Sequence, residues 1–275
     1  MLTLNIIGAG RVGQTLARLF SSRGQFQIAS VYARSALTAQ QAVDFIGAGK
    51  AACNLLDLER AEICMLTVAD DDISNVSNQL LELEHFKPRS IVFHCSGSKS
   101  SAILQSLRDA GHHVASIHPV RSFASPEVLV SDFADTYCGV EGDAEALAIL
   151  IPAFEAIGAR IFMLDAEHKL RYHAASVFAS NYLVALIDVA LKTYQAAGLS
   201  PEMALGLAQP LAKKTLDNVF NTSTEDALTG PIKRGDFATV EKQLTDLKIW
   251  NQHAASLYQA FIDPTKEVAN RLKSN

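Results

Sequence analysis

The chain has 275 residues, of which 49% are hydrophobic and 19% charged, and a net charge of -5. That length holds one large or two modest domains with a sizeable core, and the composition excludes a disordered tail, a collagen-like chain and a low-complexity linker. A net-negative chain is not drawn as a whole to nucleic acid or to an anionic membrane, so any basic function must be local.

The N-terminal run 1–7 is apolar, but Gly8 follows at once with no cationic segment before it, unlike a signal peptide. Strands are predicted at 2–7, 27–32, 62–68, 90–94 and 114–118, with helical stretches between them, the pattern of a parallel sheet with crossover helices. Two further strand-like runs, 136–140 and 160–164, flank a helix over about 143–157, so the sheet should extend beyond one mononucleotide-binding half. After Asp165 the alternation stops, and helical periodicity covers 166–197, 201–220, 236–247 and 249–261. Glycine follows the same division, with 11 of 15 before position 166. The expected architecture is α/β: a domain built on a parallel sheet over 1–165 and an all-helical domain over 166–275.

No membrane span is expected, because His173, Asn181, Asp188 and Lys192 interrupt the apolar stretch after Asp165. Cys53, Cys64, Cys95 and Cys138 lie far apart with no CxxC pair, which argues against a zinc ribbon, a dithiol site or a secreted disulfide scaffold and fits a reducing cytoplasm. The eight histidines show no paired ligand spacing and there is no GxSxG elbow, so neither metal catalysis nor serine hydrolysis is expected.

The first strand runs straight into Gly8-Ala9-Gly10-Arg11-Val12-Gly13 and then a helix. In that setting the glycines give a tight turn, close backbone approach to a pyrophosphate and close packing of helix on strand, and the helix N-terminus offers N–H donors to the phosphates. The second strand ends Tyr32-Ala33-Arg34-Ser35, and no Asp or Glu occurs before Asp44. An acidic residue there would hold the 2′-hydroxyl of NAD, whereas Arg34 and the Ser35 hydroxyl suit the 2′-phosphate of NADP. Thr67, Val68 and Ala69 leave the carboxyl end of another strand, where they should line the cofactor. The Asp70-Asp71-Asp72 run after them reads first as a helix N-cap.

Two polar runs end later strands: His94-Cys95-Ser96-Gly97-Ser98-Lys99-Ser100 and His118-Pro119-Val120-Arg121-Ser122-Phe123. Each suits either plain turn chemistry or a catalytic crevice at the carboxyl edge of an open sheet. In the second reading His118 is the acid-base group, Ser96 a hydrogen-bond donor, and Arg121 or Lys99 a carboxylate anchor. On the helix after Ala166, His173, Val177, Ser180 and Asn181 fall on one stripe, which reads either as a core histidine with neighbours or as a crevice wall. The segment 227–236, with Lys233 and Arg234, is a Gly/Pro-punctuated connection that reads as a loop or as a closing segment.

With GAGRVG at 8–13, YARS at 32–35, HCSGSKS at 94–100, HPVRSFA at 118–124, YHAASVFASN at 172–181 and ALTGPIKRGD at 227–236, the chain resembles Rossmann-like proteins with an uncharacterised helical C-terminal domain. These are relatives of pyrroline-5-carboxylate reductase, prephenate dehydrogenase and the 6-phosphogluconate dehydrogenase superfamily. The HCSGSK and HPVRSF runs are similar to substrate-reaching segments of prephenate dehydrogenases, which adds weight to Ser96 and His118. The resemblance implies a helical domain that dimerises. Where the hydroxyacid branch places a catalytic lysine near His173, this chain differs, and it has no SGPAY-type loop.

The resulting expectation is a cytoplasmic, homodimeric NADP-dependent oxidoreductase passing a hydride between the nicotinamide and a small carbonyl or imine compound that carries a carboxylate. His118 is the acid-base group, Ser96 orients the substrate, and Arg121 with the His173 and Asn181 stripe anchors it. The competing class is an NADPH-binding sensor without chemistry.

Overall fold

The structure is a computed structural model that describes residues 1–271. It divides into two compact units, one ending at Ser180 and the other starting at Asn181. The first is built on one eight-stranded sheet: β1 (Thr3–Ile7), β2 (Gln27–Tyr32), β3 (Lys50–Ala52), β4 (Ala61–Leu66), β5 (Phe86–His94), β6 (His113–Pro119), β7 (Tyr137–Gly142) and β8 (Arg160–Met163). Their order is β3-β2-β1-β4-β5-β6-β7-β8, all pairs parallel except β6 with β7. The sheet does continue past one nucleotide-binding half, as the runs at 136–140 and 160–164 suggest. The short β3 has no counterpart among the predicted strands, because three residues reading Lys-Ala-Ala carry no period.

Side chains alternate across the sheet, and the core divides accordingly. Leu4, Ile6, Ile63, Met65, Phe93 and Ile117 face α1 (Arg11–Ser22), α2 (Ala36–Ile46) and α6 (Ala144–Ala156). Ile7, Cys64, Leu66, Val92 and Val114 face α3 (Ile73–Glu82) and α4 (Gln105–Asp109). Phe154 from α6 meets Phe20 and Phe93 edge to face, at 5.1 and 6.0 Å between ring centres. The short α5 (Pro126–Ser131) and then α7 (Lys169–Ala179) complete this unit.

The stretch from Ala166 to Ala196 is 31 residues long and, by length and composition alone, would suffice to cross a membrane, which the sequence reading did not anticipate. It is not one continuous helix. Ser180, at φ -125° and ψ -72°, breaks it into α7 of 11 residues and α8 (Asn181–Ala196) of 16, each short of the roughly 20 a span needs. The expected boundary at Asp165 therefore moves to Ser180. The reason is Lys169, which is buried, and Tyr172, which stacks edgewise on Phe162 of β8 and on His118 of β6, so that α7 packs with the sheet.

The second unit contains α8, α9 (Pro201–Asn221), α10 (Thr224–Ala227), α11 (Pro231–Arg234), α12 (Phe237–Trp250) and α13 (Gln252–Arg271). The last two separate at Asn251, whose side-chain carbonyl accepts the N–H groups of His253 and Ala254. Its fully buried apolar residues are Ala204, Ala208, Val240, Ala254, Ala255, Ile262 and Ala269.

Candidate cofactor and active site

The carboxyl ends of β1 and β4 meet at the point where strand order reverses, the usual ligand crevice of an open α/β sheet. Gly8 leaves β1 at φ +112°, and a Cβ there would lie 2.6 Å from the Thr67 backbone. Thr67 Oγ1 donates to the Gly8 carbonyl at 2.7 Å, and a Cβ on Gly13 would collide with the Gly8 carbonyl and that hydroxyl. Gly8 and Gly13 are thus required by packing. Gly10 is different: a Cβ there would meet nothing within 4 Å, so the space over it is open. α1 starts at this point with no side-chain cap and no acidic residue in its first turn. Free N–H donors, a positive dipole end and an open glycine fit a dinucleotide pyrophosphate.

Arg34 is exposed at the end of β2 and carries no hydrogen bond or ion pair among the described residues, so its guanidinium is available. Ser35 is partly committed, since its hydroxyl caps α2 by accepting from Thr38 N–H at 3.1 Å. Arg11 reaches the Phe123 carbonyl at 3.4 Å, while Val12 and Val68 are partly buried against the core. Ala69 is exposed and precedes a 3-10 turn over Asp70–Asp72. The expected acidic N-cap does not form, because neither Asp70 nor Asp72 caps a helix with its side chain. Asp70 Oδ2 accepts from Ser96 and Ser98 hydroxyls, both at 2.7 Å. Burial opposes its ionisation, but those two bonds and the nearby His94 and His173 keep its pKa below the usual carboxylate value.

A second group of polar side chains lies at the ends of β5 and β6. His118 Nδ1 is 2.8 Å from the Tyr172 hydroxyl, and its ring stands edgewise to His173 with centres 5.6 Å apart. Gly97 makes room for both imidazoles: a Cβ on it would lie 2.8 Å from His118 Nε2 and collide with His173 Nδ1. That His173 nitrogen is buried and has no hydrogen-bond partner among the described residues. Burial, with His173 and Lys169 adding positive charge, pulls the His118 pKa down to about 4. Burial also pushes Tyr172 up to about 12. At neutral pH His118 is thus a neutral imidazole bonded to an un-ionised phenol.

His118 and His173 come together as the sequence suggests, whereas the other expected site residues do not all join them. Ser96 is spent on its own loop, its hydroxyl donating to Asp70 and accepting the N–H groups of Ser98 and Lys99 at 3.2 and 3.0 Å. Arg121 is bound to the carboxylate and carbonyl of Asp132 and to Thr136, so it is not a free carboxylate anchor. Lys99 lies 3.9 Å from Asp71. Asn181 opens α8 in the second unit, and the break at Ser180 means that the expected stripe is not one continuous helix. Lys233, also in the second unit, donates to the Glu225 carbonyl at 3.1 Å.

Sequence reasoning missed five members of the first unit's site. Tyr172 and Asp70 have been described. Lys169 is 1% exposed, donates to the Ser116 hydroxyl and lies 3.5 Å from Glu141. Nothing in the sequence marks either member of this pair, since a lone Lys before a helix and a lone Glu on a strand ordinarily face water. His94 is also fully buried: its Nδ1 accepts the Ser96 N–H at 3.2 Å and its Nε2 lies 3.2 Å from the Ser100 carbonyl, the bonding of a neutral ring protonated on Nε2.

Residues 1–119 match the family model of a Rossmann-like domain, and residues 136–264 match that of a domain of unknown function, DUF2520. The crystal structure of a Thermotoga maritima protein is 31% identical, covers 98% of this chain and 99% of its own, and superposes with a TM-score of 0.72. The chain belongs to the family that joins a Rossmann-like domain to this helical domain. A Bacteroides fragilis protein described as a candidate NADP oxidoreductase is 22% identical over 97% of this chain and 98% of its own, with a TM-score of 0.78. An imine reductase from Myxococcus stipitatus in complex with NADP+ is 20% identical over 98% and 94%, with a TM-score of 0.66. These last two share the fold. The sequence has no match among curated proteins.

Proposed function

We propose that the protein is an NADP-dependent oxidoreductase acting on a small carbonyl or imine compound. The observation that carries this reading is the uncapped start of α1 beside the open Gly10, at the same sheet edge as the His118–Tyr172 pair. The fold shared with proteins described as NADP-linked supports it. Gly8, Gly10, Gly13 and the first turn of α1 would hold the pyrophosphate, Thr67 to Ala69 would line the crevice, and Arg34 would take the 2′-phosphate. The bound nicotinamide would supply or accept the hydride.

The protein's own part is the proton. With the Tyr172 hydroxyl donating to Nδ1, the neutral His118 would carry its proton on Nε2, free to hydrogen-bond negative charge developing on the substrate. Calorimetric titration with NADPH and NADH at fixed salt tests the reading. NADPH should bind at least about tenfold more tightly, a difference of about 1.4 kcal/mol, and Arg34→Asp should reverse the preference. Binding of neither dinucleotide overturns the proposal. His118→Ala should abolish turnover and leave NADPH affinity intact.

The helical unit pairs, in this reading, with a second copy of the chain. Its support is the large apolar surface of that unit: Phe220 and Ile249 are each 83% exposed, and Val184, Met203, Leu205 and Leu211 are exposed too. Sedimentation equilibrium should give a dimer, and a monomer at micromolar concentration overturns this part.

A further inference from the structure

We propose that Lys169 is a positioning residue for the histidine site: it pins the first turn of α7 to the sheet and sets a fixed positive charge behind His94 and His118. The inference rests on the proposed oxidoreductase reading only for its catalytic consequence. Its geometry is that of one row across three strands. His94 on β5 pairs in register with Ser116 on β6, and Ser116 pairs with Glu141 on β7. All three are buried, and Lys169 closes on the row from α7. Its ammonium donates to Ser116 Oγ and stands 3.5 Å from Glu141, while Ser116 Oγ is also 3.4 Å from His94 Nδ1.

The carboxylate that balances the lysine is itself fixed. Glu141 accepts the Ser101 N–H at 2.8 Å and the Ser101 hydroxyl at 2.7 Å. Removing one partner from such a pair leaves a buried unpaired charge, which is strongly destabilising, so the first turn of α7 has one well-defined seat. Tyr172 and His173 follow Lys169 by three and four residues, the helical spacing that brings them over the same face. His118 is two residues beyond Ser116, on the same side of β6.

The groups that face the lysine are few: His94, Ser116, His118 and Glu141 on the strands, with Cys95 and Asp70 acting on it through space. Burial is the first cause of the low pKa of both histidines, about 4 for each, and the charge of Lys169 adds to it. Burial pulls the Lys169 pKa below its ordinary value, opposed by Glu141; in its protonated form the lysine, after His173, disfavours imidazolium on His118 and favours the neutral form that Tyr172 orients.

The test follows the His118 ring by NMR in protein with isotope-labelled histidine, its resonance assigned from the His118→Ala spectrum. Wild-type His118 should titrate near 4, and Lys169→Met should raise that midpoint toward the ordinary imidazole value. Lys169→Arg keeps the charge and should keep the midpoint low, a result that packing alone would not give. Should Lys169→Met not fold, the double variant Lys169→Met/Glu141→Leu removes both charges together, an exchange that folded proteins commonly tolerate, and it should show the same rise. An unchanged midpoint in a folded charge-free variant, or a wild-type midpoint near 6.5, overturns the proposal. NADPH titration of the same wild-type sample reads the cofactor assignment separately, so its failure leaves the lysine result standing.

Discussion

In the sheet unit the largest buried side chains include Phe20, Phe93, Phe133 and Phe154, which fill the layer between sheet and helices. Among the described residues of the helical unit five of the seven buried apolar residues are alanines, while Tyr182, Val184, Phe220 and Ile249 are exposed. The sheet unit buries large aromatic side chains, though it also exposes Leu37, Met163, Leu170 and Phe178. The helices pack closely on small residues and present their large ones outward, an arrangement stable in water only if something covers that surface. The two units contribute differently: one carries the polar site over an aromatic core, and the other packs on small residues and offers a surface.

Matched substitutions would sharpen this contrast. Phe154→Ala should cost about 3–5 kcal/mol in urea unfolding, because it empties a site walled by two other rings. Phe220→Ala should cost well above the roughly 0.5 kcal/mol of a water-facing position if a second copy covers that surface, and a smaller loss would show that Phe220 faces water in solution. Acid should strike the sheet unit next. His94 has its pKa lowered from 6.5 to about 4 by burial, so the unfolded chain binds the extra proton first as pH falls. Its contribution is complete above about 6.5 and is lost between there and about 4, amounting to about 3 kcal/mol. His94→Gln should flatten that part of the stability-against-pH curve, and an unaltered slope would show that the ring is not buried neutral.

Smaller effects separate the units in other ways. Ile249→Glu should shift the protein from dimer to monomer in sedimentation while leaving NADPH affinity unchanged. Arg121→Ala should cost no more than about 1 kcal/mol, because its partner Asp132 is largely exposed and such pairs contribute little. A loss of turnover with intact folding in that variant would return Arg121 to the substrate.

Most of the sheet could be read from the sequence because buried parallel strands are apolar runs and the glycine loop sits where the first of them ends. Seven strands were expected near their observed places, and β3 escaped because it is three residues of weak β propensity. The break at Ser180 was hidden, since no Gly or Pro marks it and the apolar pattern runs through it. His118 could be found from its position at a strand end. Its partners could not: Tyr172 and Lys169 become site residues only once α7 lies on the sheet. Ser96 lies in a suggestive motif, and its hydroxyl bonds Asp70 and its own loop, a direction that sequence does not give because it fixes a side chain's identity only.

Gly97 separates folding from activity at a single position. Its backbone is not in the left-handed region, so the chain's own geometry would accept a side chain there. What it cannot accept is the collision with two imidazoles. Every one-base change in a glycine codon that alters the residue adds a side chain or ends the chain. A saturation library at this codon should therefore yield many proteins that express and fold and few that work, making position 97 a marker for inactive lineages that keep the family's architecture.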